Sequence, residues 1–262
     1  MDLGLKGKTA LVLGGSKGLG RGVADALAGE GVSVALMARG KEALDAAVAE
    51  INARGAGRAI AVAADTGDWA AVERAANSAR EQLGPIDILL NNTGGPPPLR
   101  VIGIAPEVWE QQFRAMVLVY FRLTEMLLPD MRKKGWGRII NVASESVVQP
   151  IPQIAISNTL RGAVVGWAKT LAGEVARDGI TVNTMLPGAF ETDRVMQVQR
   201  ATSTREGVSL EDVVQRASRA IPVGRMGKPS EFGAMAAFLA SPLAGYITGS
   251  MIRLDGGSVR SI

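Results

Sequence analysis

The 262-residue chain contains no cysteine and no histidine. Without cysteine there is no disulfide, no thiolate nucleophile and no zinc–thiolate centre. Without histidine there is no imidazole base and no imidazole metal ligand, so no metal site is expected. Aromatic residues make up 4%, and only two are tyrosines, Tyr120 and Tyr246. Acid–base chemistry is therefore left to carboxylates, lysine, tyrosine, hydroxyls, a cofactor or water. No apolar run approaches the roughly 18 residues that a membrane helix needs. Met1–Lys6 leads straight into a strand pattern and leaves no room for a signal peptide. A soluble, cytoplasmic protein without a membrane partner is the expectation. The formal net charge is +4, but the basic residues are scattered, with Arg132-Lys133-Lys134 as the one tight cluster. A nucleic-acid surface needs a stripe of charge, so no nucleic-acid partner is expected.

What is present is a regular alternation of short apolar runs and helical patterns. Thr9–Leu13, Ser33–Ala38, Ala59–Ala63, Ile86–Leu90, Arg138–Ala143, Thr181–Leu186 and Ser250–Leu254 read as strands. Between them lie helical stretches: Gly18 to about Glu30, Lys41–Arg54, Asp68–Leu83 with Asp68 as N-cap, Pro106–Lys134, Ile156–Arg177, Leu210–Ala220 and Ser230–Leu239. Pro129 is expected to bend or break the longest of these. Strands that are apolar throughout, rather than alternating, belong to a parallel sheet covered on both faces. The predicted fold is α/β: a doubly wound parallel sheet of Rossmann type, forming a single domain over residues 1–262.

In such sheets ligands bind beyond the carboxyl ends of the strands. After the first strand comes Gly14-Gly15-Ser16-Lys17-Gly18-Leu19-Gly20. A glycine turn opening a helix presents unpaired N–H groups and a partial positive charge to an anion. Alone the pattern is weak, because glycine turns also join strands to helices with no ligand. The second strand ends in Ala38-Arg39, where NAD-binding units usually carry an acid for the ribose 2′-hydroxyl. A guanidinium accepts a 2′-phosphate by charge and bidentate geometry, and Lys17 adds a second cation. NADP(H) is therefore favoured over NAD(H), the alternative being that both cations are simply solvated. Other candidates at strand ends are Asp65 and Thr66, Asn91, Thr93 and Gly94, Ser144, and Pro187, Gly188 and Thr192.

Taken in order, these segments resemble the short-chain dehydrogenase/reductase family over almost the whole chain. The glycine motif matches Leu13–Gly20, with Leu13 where the family has Thr. The adenine-binding acid matches Asp65, the N-N-A-G motif matches Asn91-Asn92-Thr93-Gly94, and Gly137–Ser144 matches the strand that ends in the catalytic serine. Pro187-Gly188 with Thr192 matches the segment touching pyrophosphate and nicotinamide. Ile221–Pro229 and Ile247–Gly257 match the C-terminal signatures. Members similar to β-ketoacyl-carrier-protein reductases share the most. The resemblance implies a nicotinamide cofactor held by Gly14, Ser16, Lys17, Gly18, Leu19, Gly20, Arg39, Asp65, Thr66, Asn91, Thr93, Gly94, Arg161, Pro187, Gly188 and Thr192. It also implies a small carbonyl or alcohol substrate, a lid over residues 193–220, and a homotetramer built on the two long helices.

The catalytic set departs from the family. Its Tyr, 13 residues after the serine, is here Ser157; its Lys is Arg161; its Asn is Met116. A serine hydroxyl is a poor proton source, and a guanidinium stays charged and cannot shuttle protons. A divergent branch of the family resembles this chain in Asn91–Pro98 and in Ser157-Asn158-x-x-Arg161. Ser144, Ser157 and Arg161 are the catalytic candidates: the hydroxyls for the substrate oxygen, Arg161 for the nicotinamide ribose and for positive charge. Glu145 and Glu191 are the nearest carboxylates and could replace the missing acid if burial raised their pKa, or could be solvated loop acids.

Three functions remain open. The first is an NADP(H)-dependent oxidoreductase with this non-standard site. The second is an NADP(H)-binding protein without redox turnover, a sensor or oligomer subunit. The third is non-redox elimination or isomerisation, as in the halohydrin dehalogenases. Those resemble the family and carry Arg at the Lys position, but they keep the Tyr and lose the glycine turn.

Overall fold

Leu11 and Leu13 face one side of the first strand while Ala10 and Val12 face the other, and all four are buried. That two-sided burial is what apolar-throughout strands demand. The computed structural model describes residues 2–261. It contains β1 (Thr9–Leu13), β2 (Ser33–Ala38), β3 (Ala59–Ala63), β4 (Ile88–Asn91), β5 (Gly137–Val142), β6 (Ile180–Pro187) and β7 (Met251–Leu254). They form one parallel sheet in the order β3-β2-β1-β4-β5-β6-β7. The order reverses between β1 and β4, which places a crevice at their carboxyl ends.

Helices α1 (Gly18–Gly29), α2 (Lys41–Ala53) and α9 (Pro229–Ala240) cover one face. Helices α3 (Trp69–Leu83), α5 (Val119–Lys134) and α6 (Ala155–Val175) cover the other. The remaining helices are α4 (Pro106–Phe113), α7 (Asp193–Glu206) and α8 (Leu210–Ala220). Helix α1 meets α9 through glycines. A Cβ on Gly22 would run into the Pro229 carbonyl, and one on Gly233 into the Gly22 carbonyl.

Three expectations are corrected. The long helix does not break at Pro129, which lies inside α5. Pro129 and Glu125, whose carbonyl loses its partner, are both exposed, so water can take the free group. The interruption comes earlier, where Arg114–Leu118 winds as a π-turn around buried Met116. The fourth strand begins at Ile88 and runs one residue past the apolar run, to Asn91. Asn91 pairs with Asn141 in register and buries its amide against it, so a polar residue completes the strand. Finally, Asp193–Glu206, part of the expected lid and assigned no helix by the sequence pattern, forms helix α7. With no buried residue that helix has no apolar stripe to reveal it; its start is set by the Thr192 hydroxyl accepting from the Val195 N–H.

The α1–α9 contact makes a test of this packing. Gly22→Ala forces the two backbones apart and is expected to lower stability by roughly 1–3 kcal/mol. The readout is a lower urea midpoint with an unchanged helical spectrum.

Candidate functional site

The turn after β1 is built from backbone constraints. The N–H groups of Gly14 and Gly15 donate to the Met37 carbonyl, at 2.7 and 3.3 Å. Gly14 and Gly18 adopt φ of +66° and +56°, in the left-handed region that favours glycine. A Cβ on Gly20 would collide with the Gly14 carbonyl. Helix α1 then begins with no side-chain cap from Lys17 and no acid in its first turn. Elsewhere Asp68, Thr192 and Ser209 cap their helices with side-chain oxygens. The α1 terminus thus keeps its N–H groups and its positive end free of a local anion.

Around this turn stand most of the residues expected there. Half-buried Ser16 and Leu19 belong to it, and Thr192 packs on it, its Cγ2 3.3 Å from where a Gly18 Cβ would be. Arg39 is exposed, with its guanidinium 3.9 Å from the Asp65 carboxylate. Asp65 also accepts the Gly67 N–H, and half-buried Thr66 follows it. Lys17 lies 3.5 Å from Asp193, at the start of α7. Lys17, Gly18, Thr192, Asp193 and Met196 line an open groove of about 430 Å³. Arg194 donates to the Pro96 carbonyl at 3.0 Å, so α7 is pinned to the loop after β4 as well as to the glycine turn.

Asn91 is placed differently from the rest. Its side chain is fully buried and donates to Asn141 and Thr124, holding β4 within the sheet. Its neighbour Asn92 faces the crevice instead, donating to the Leu13 carbonyl at 3.2 Å with its amide directly under Gly14. The Asn-Asn pair carries no signal for which of the two turns outward; strand pleat decides it.

Beyond β4 and β5 the centre of the site is a buried guanidinium. Arg161, one turn into α6 from Ser157, donates to the carbonyls of Val142 at 2.6 Å and Thr93 at 3.1 Å. It also donates to the Tyr120 hydroxyl at 3.1 Å, which in turn accepts the Thr93 N–H at 3.0 Å. Arg161 and Thr93 are buried, and Tyr120 completely so. Three of the five guanidinium N–H groups are thereby used within the protein. The pairing of Tyr120 with Arg161 had no sequence signal: the two are 41 residues apart, on different helices.

Ser144 follows β5 and starts a single helical turn, Glu145–Val147, its hydroxyl accepting the Ser146 N–H at 3.1 Å. Ser157 lies half-buried in the first turn of α6, and Gly94 is exposed in the loop after β4. Glu145 turns inward. Its Oε2 is buried without a hydrogen-bond partner, against Gly188 just past β6. Burial, reinforced by the nearby Asp255 charge, pushes its carboxyl up to about 7. Glu191, the other candidate acid, is exposed.

The short chain dehydrogenase family model matches residues 8–203. The chain is 35% identical to the D-beta-hydroxybutyrate dehydrogenase of Cupriavidus necator, covering 97% of this chain and 99% of that one. It is 34% identical to the 3-oxoacyl-acyl-carrier-protein reductase FabG of Vibrio cholerae, covering 97% and 98%. The L-sorbose reductase of Gluconobacter frateurii, solved with NADPH and L-sorbose, superposes with a TM-score of 0.96 at 32% identity over the full length of both chains. The chain therefore belongs to the short-chain dehydrogenase/reductase family.

Arg161→Met removes the guanidinium and leaves two backbone carbonyls and a tyrosine hydroxyl without their donor. A loss of roughly 3–5 kcal/mol in unfolding free energy is expected. Arg161→Lys should recover only part of it, since an ammonium lacks the planar fork. Chemical denaturation of the three proteins checks both outcomes.

Proposed function

We propose that this protein is an NADP(H)-dependent oxidoreductase acting on a small carbonyl or alcohol. The observation that carries this is the intact dinucleotide cradle. Left-handed Gly14 and Gly18, the close approach at Gly20 and an uncapped α1 terminus together leave space and donors for a pyrophosphate. The residues that would hold the cofactor are those of Gly14–Gly20, with Asp65 and Thr66 at the adenosine end. Thr93, Gly94, Pro187, Gly188 and Thr192 would line its nicotinamide half, and Asn91 would contribute through backbone alone. Arg39 and Lys17 favour the 2′-phosphorylated form. The NADPH held by the sorbose reductase agrees with this. When bound, the nicotinamide supplies or accepts hydride.

The chain's own residues do the rest. Ser144 and Ser157 hydrogen-bond the substrate oxygen. Arg161 contributes positive charge beneath the site, and its two uncommitted N–H groups are available to the nicotinamide ribose. Residues 193–220 form the lid, and its contacts to Lys17 and Pro96 would have to rearrange as ligands enter. A cytoplasmic homotetramer is part of the same reading: Phe113, the last residue of α4, meets Phe121 of α5 edge-on and stays exposed, while Phe121 packs on Trp167 of α6. Among the described residues no helix is long and apolar enough to cross a membrane.

A second reading, cofactor binding without turnover, is favoured by one observation: Arg161 spends most of its donors on the protein. Titration calorimetry is expected to show NADPH binding at least about tenfold tighter than NADH, and Arg39→Ala to abolish the difference. NADPH oxidation with a carbonyl panel is expected to fall by roughly 10²-fold or more in Ser144→Ala, the scale for a lost oxyanion donor. Tight NADPH binding with no turnover on any carbonyl or alcohol selects the second reading.

A further inference from the structure

An oxidoreductase, the reading on which this inference rests, needs a proton source that the usual positions cannot supply here. Neither Ser157 nor Arg161 can release a proton at neutral pH, and Met116 cannot hold a relay water. The site contains one carboxyl that departs from an ordinary surface acid in several independent ways. Glu145 directly follows Ser144 at the end of β5. Its Oε2 is buried and meets no donor. It lies against Gly188, where an added Cβ would come within 2.9 Å of it. Gly188 therefore has no side chain between this carboxyl and the wall that, by family likeness, faces the nicotinamide.

The other groups around Glu145 reinforce its neutral form. Asp255, just past β7, is the charged group facing it, and its two oxygens accept the N–H groups of Gly257 and Val259, both at 3.0 Å. At and just past the end of β6, Pro187 and Gly188 bring no ionisable side chain, and in its own turn the Ser146 hydroxyl is also buried and unpartnered. Among the described residues no cation acts on the Glu145 carboxyl against the effect of Asp255. A carboxyl with a like charge on one side and no donor on the other holds its proton near neutrality, with a value of about 7. General acids work best when their pKa lies near the operating pH.

We propose that Glu145 is the proton donor of this site, taking the place of the tyrosine that the chain lacks. In reduction, the carbonyl carbon takes hydride from the reduced nicotinamide, which is thereby oxidised, and the C–O π pair moves onto oxygen. That oxygen, held by Ser144, takes the proton as the Glu145 O–H bond breaks. Glu145 is left as a carboxylate and regains a proton from solvent. In alcohol oxidation the same carboxylate accepts the proton. Reduction should therefore be fastest with Glu145 protonated and decline as pH rises through about 7; oxidation should show the opposite limb.

Glu145→Gln is neutral and nearly isosteric with the protonated acid, so the fold is preserved. It is expected to lower kcat for carbonyl reduction by roughly 10²-fold or more, to remove the limb near pH 7, and to leave the Kd for NADPH unchanged. Glu145→Asp should restore part of the rate. Infrared difference titration of the cofactor-free protein should show a carboxyl C=O band titrating near pH 7 that is absent from Glu145→Gln. An active Glu145→Gln enzyme with the wild-type pH limb, or no such carboxyl band, overturns the assignment to Glu145 alone. Wild-type protein that binds NADPH and turns over nothing overturns the oxidoreductase reading, and this step with it.

Discussion

A guanidinium buried between two strand ends organises the active half of this molecule. Arg161 links the Val142 carbonyl at the end of β5, the Thr93 carbonyl past β4 and the Tyr120 hydroxyl of α5 to its own helix, α6. Taking a charge out of water is costly, and the cost is met only when its donors find good acceptors. Here the acceptors are mostly backbone carbonyls, whose positions are themselves set by the sheet. The guanidinium therefore serves as a rivet: loop 92–98, Ser144 and the start of α6 share one anchored reference. Tyr120 is the natural companion, because a planar hydroxyl can accept from Arg161 and from the Thr93 N–H together.

The two halves of the site answer different physical demands. The cofactor half is a matter of backbone: a positive φ, a missing Cβ and an open helix end suffice to receive a phosphate, and side chains there add charge. The chemical half is a matter of proton inventory. Ser157 and Arg161 offer hydrogen bonding and positive charge there, but neither is a proton donor at neutral pH. Tyr120 and Arg161 also recreate a phenol–cation pair, but inside the protein, where Tyr120 has no access to a substrate.

The strands, the order of the elements and the glycine turn were legible in the sequence because each rests on local composition. Apolar runs fit a sheet covered on both faces, and glycines mark the positions where no other residue fits. Less legible were features set by surroundings. Proline at 129 reads as a break, yet an exposed carbonyl at Glu125 makes it harmless. Helix α7 lacks an apolar stripe, so only its cap discloses it. Asn91 and Asn92 are chemically identical, and pleat alone buries one and turns the other to the crevice.

By itself, then, the sequence determined the α/β class, the family, and the lack of any cysteine, histidine or Tyr-x-x-x-Lys segment. Those conclusions need only residue identity and spacing. Which residues meet was decided by the tertiary structure. Tyr120 reaches Arg161, Thr192 packs on Gly18, and the Glu145 carboxyl is enclosed between Gly188 and Asp255. The reason is physical: a hydrogen bond or a shifted pKa depends on distance and burial, and both are created when strands far apart in the chain are laid side by side.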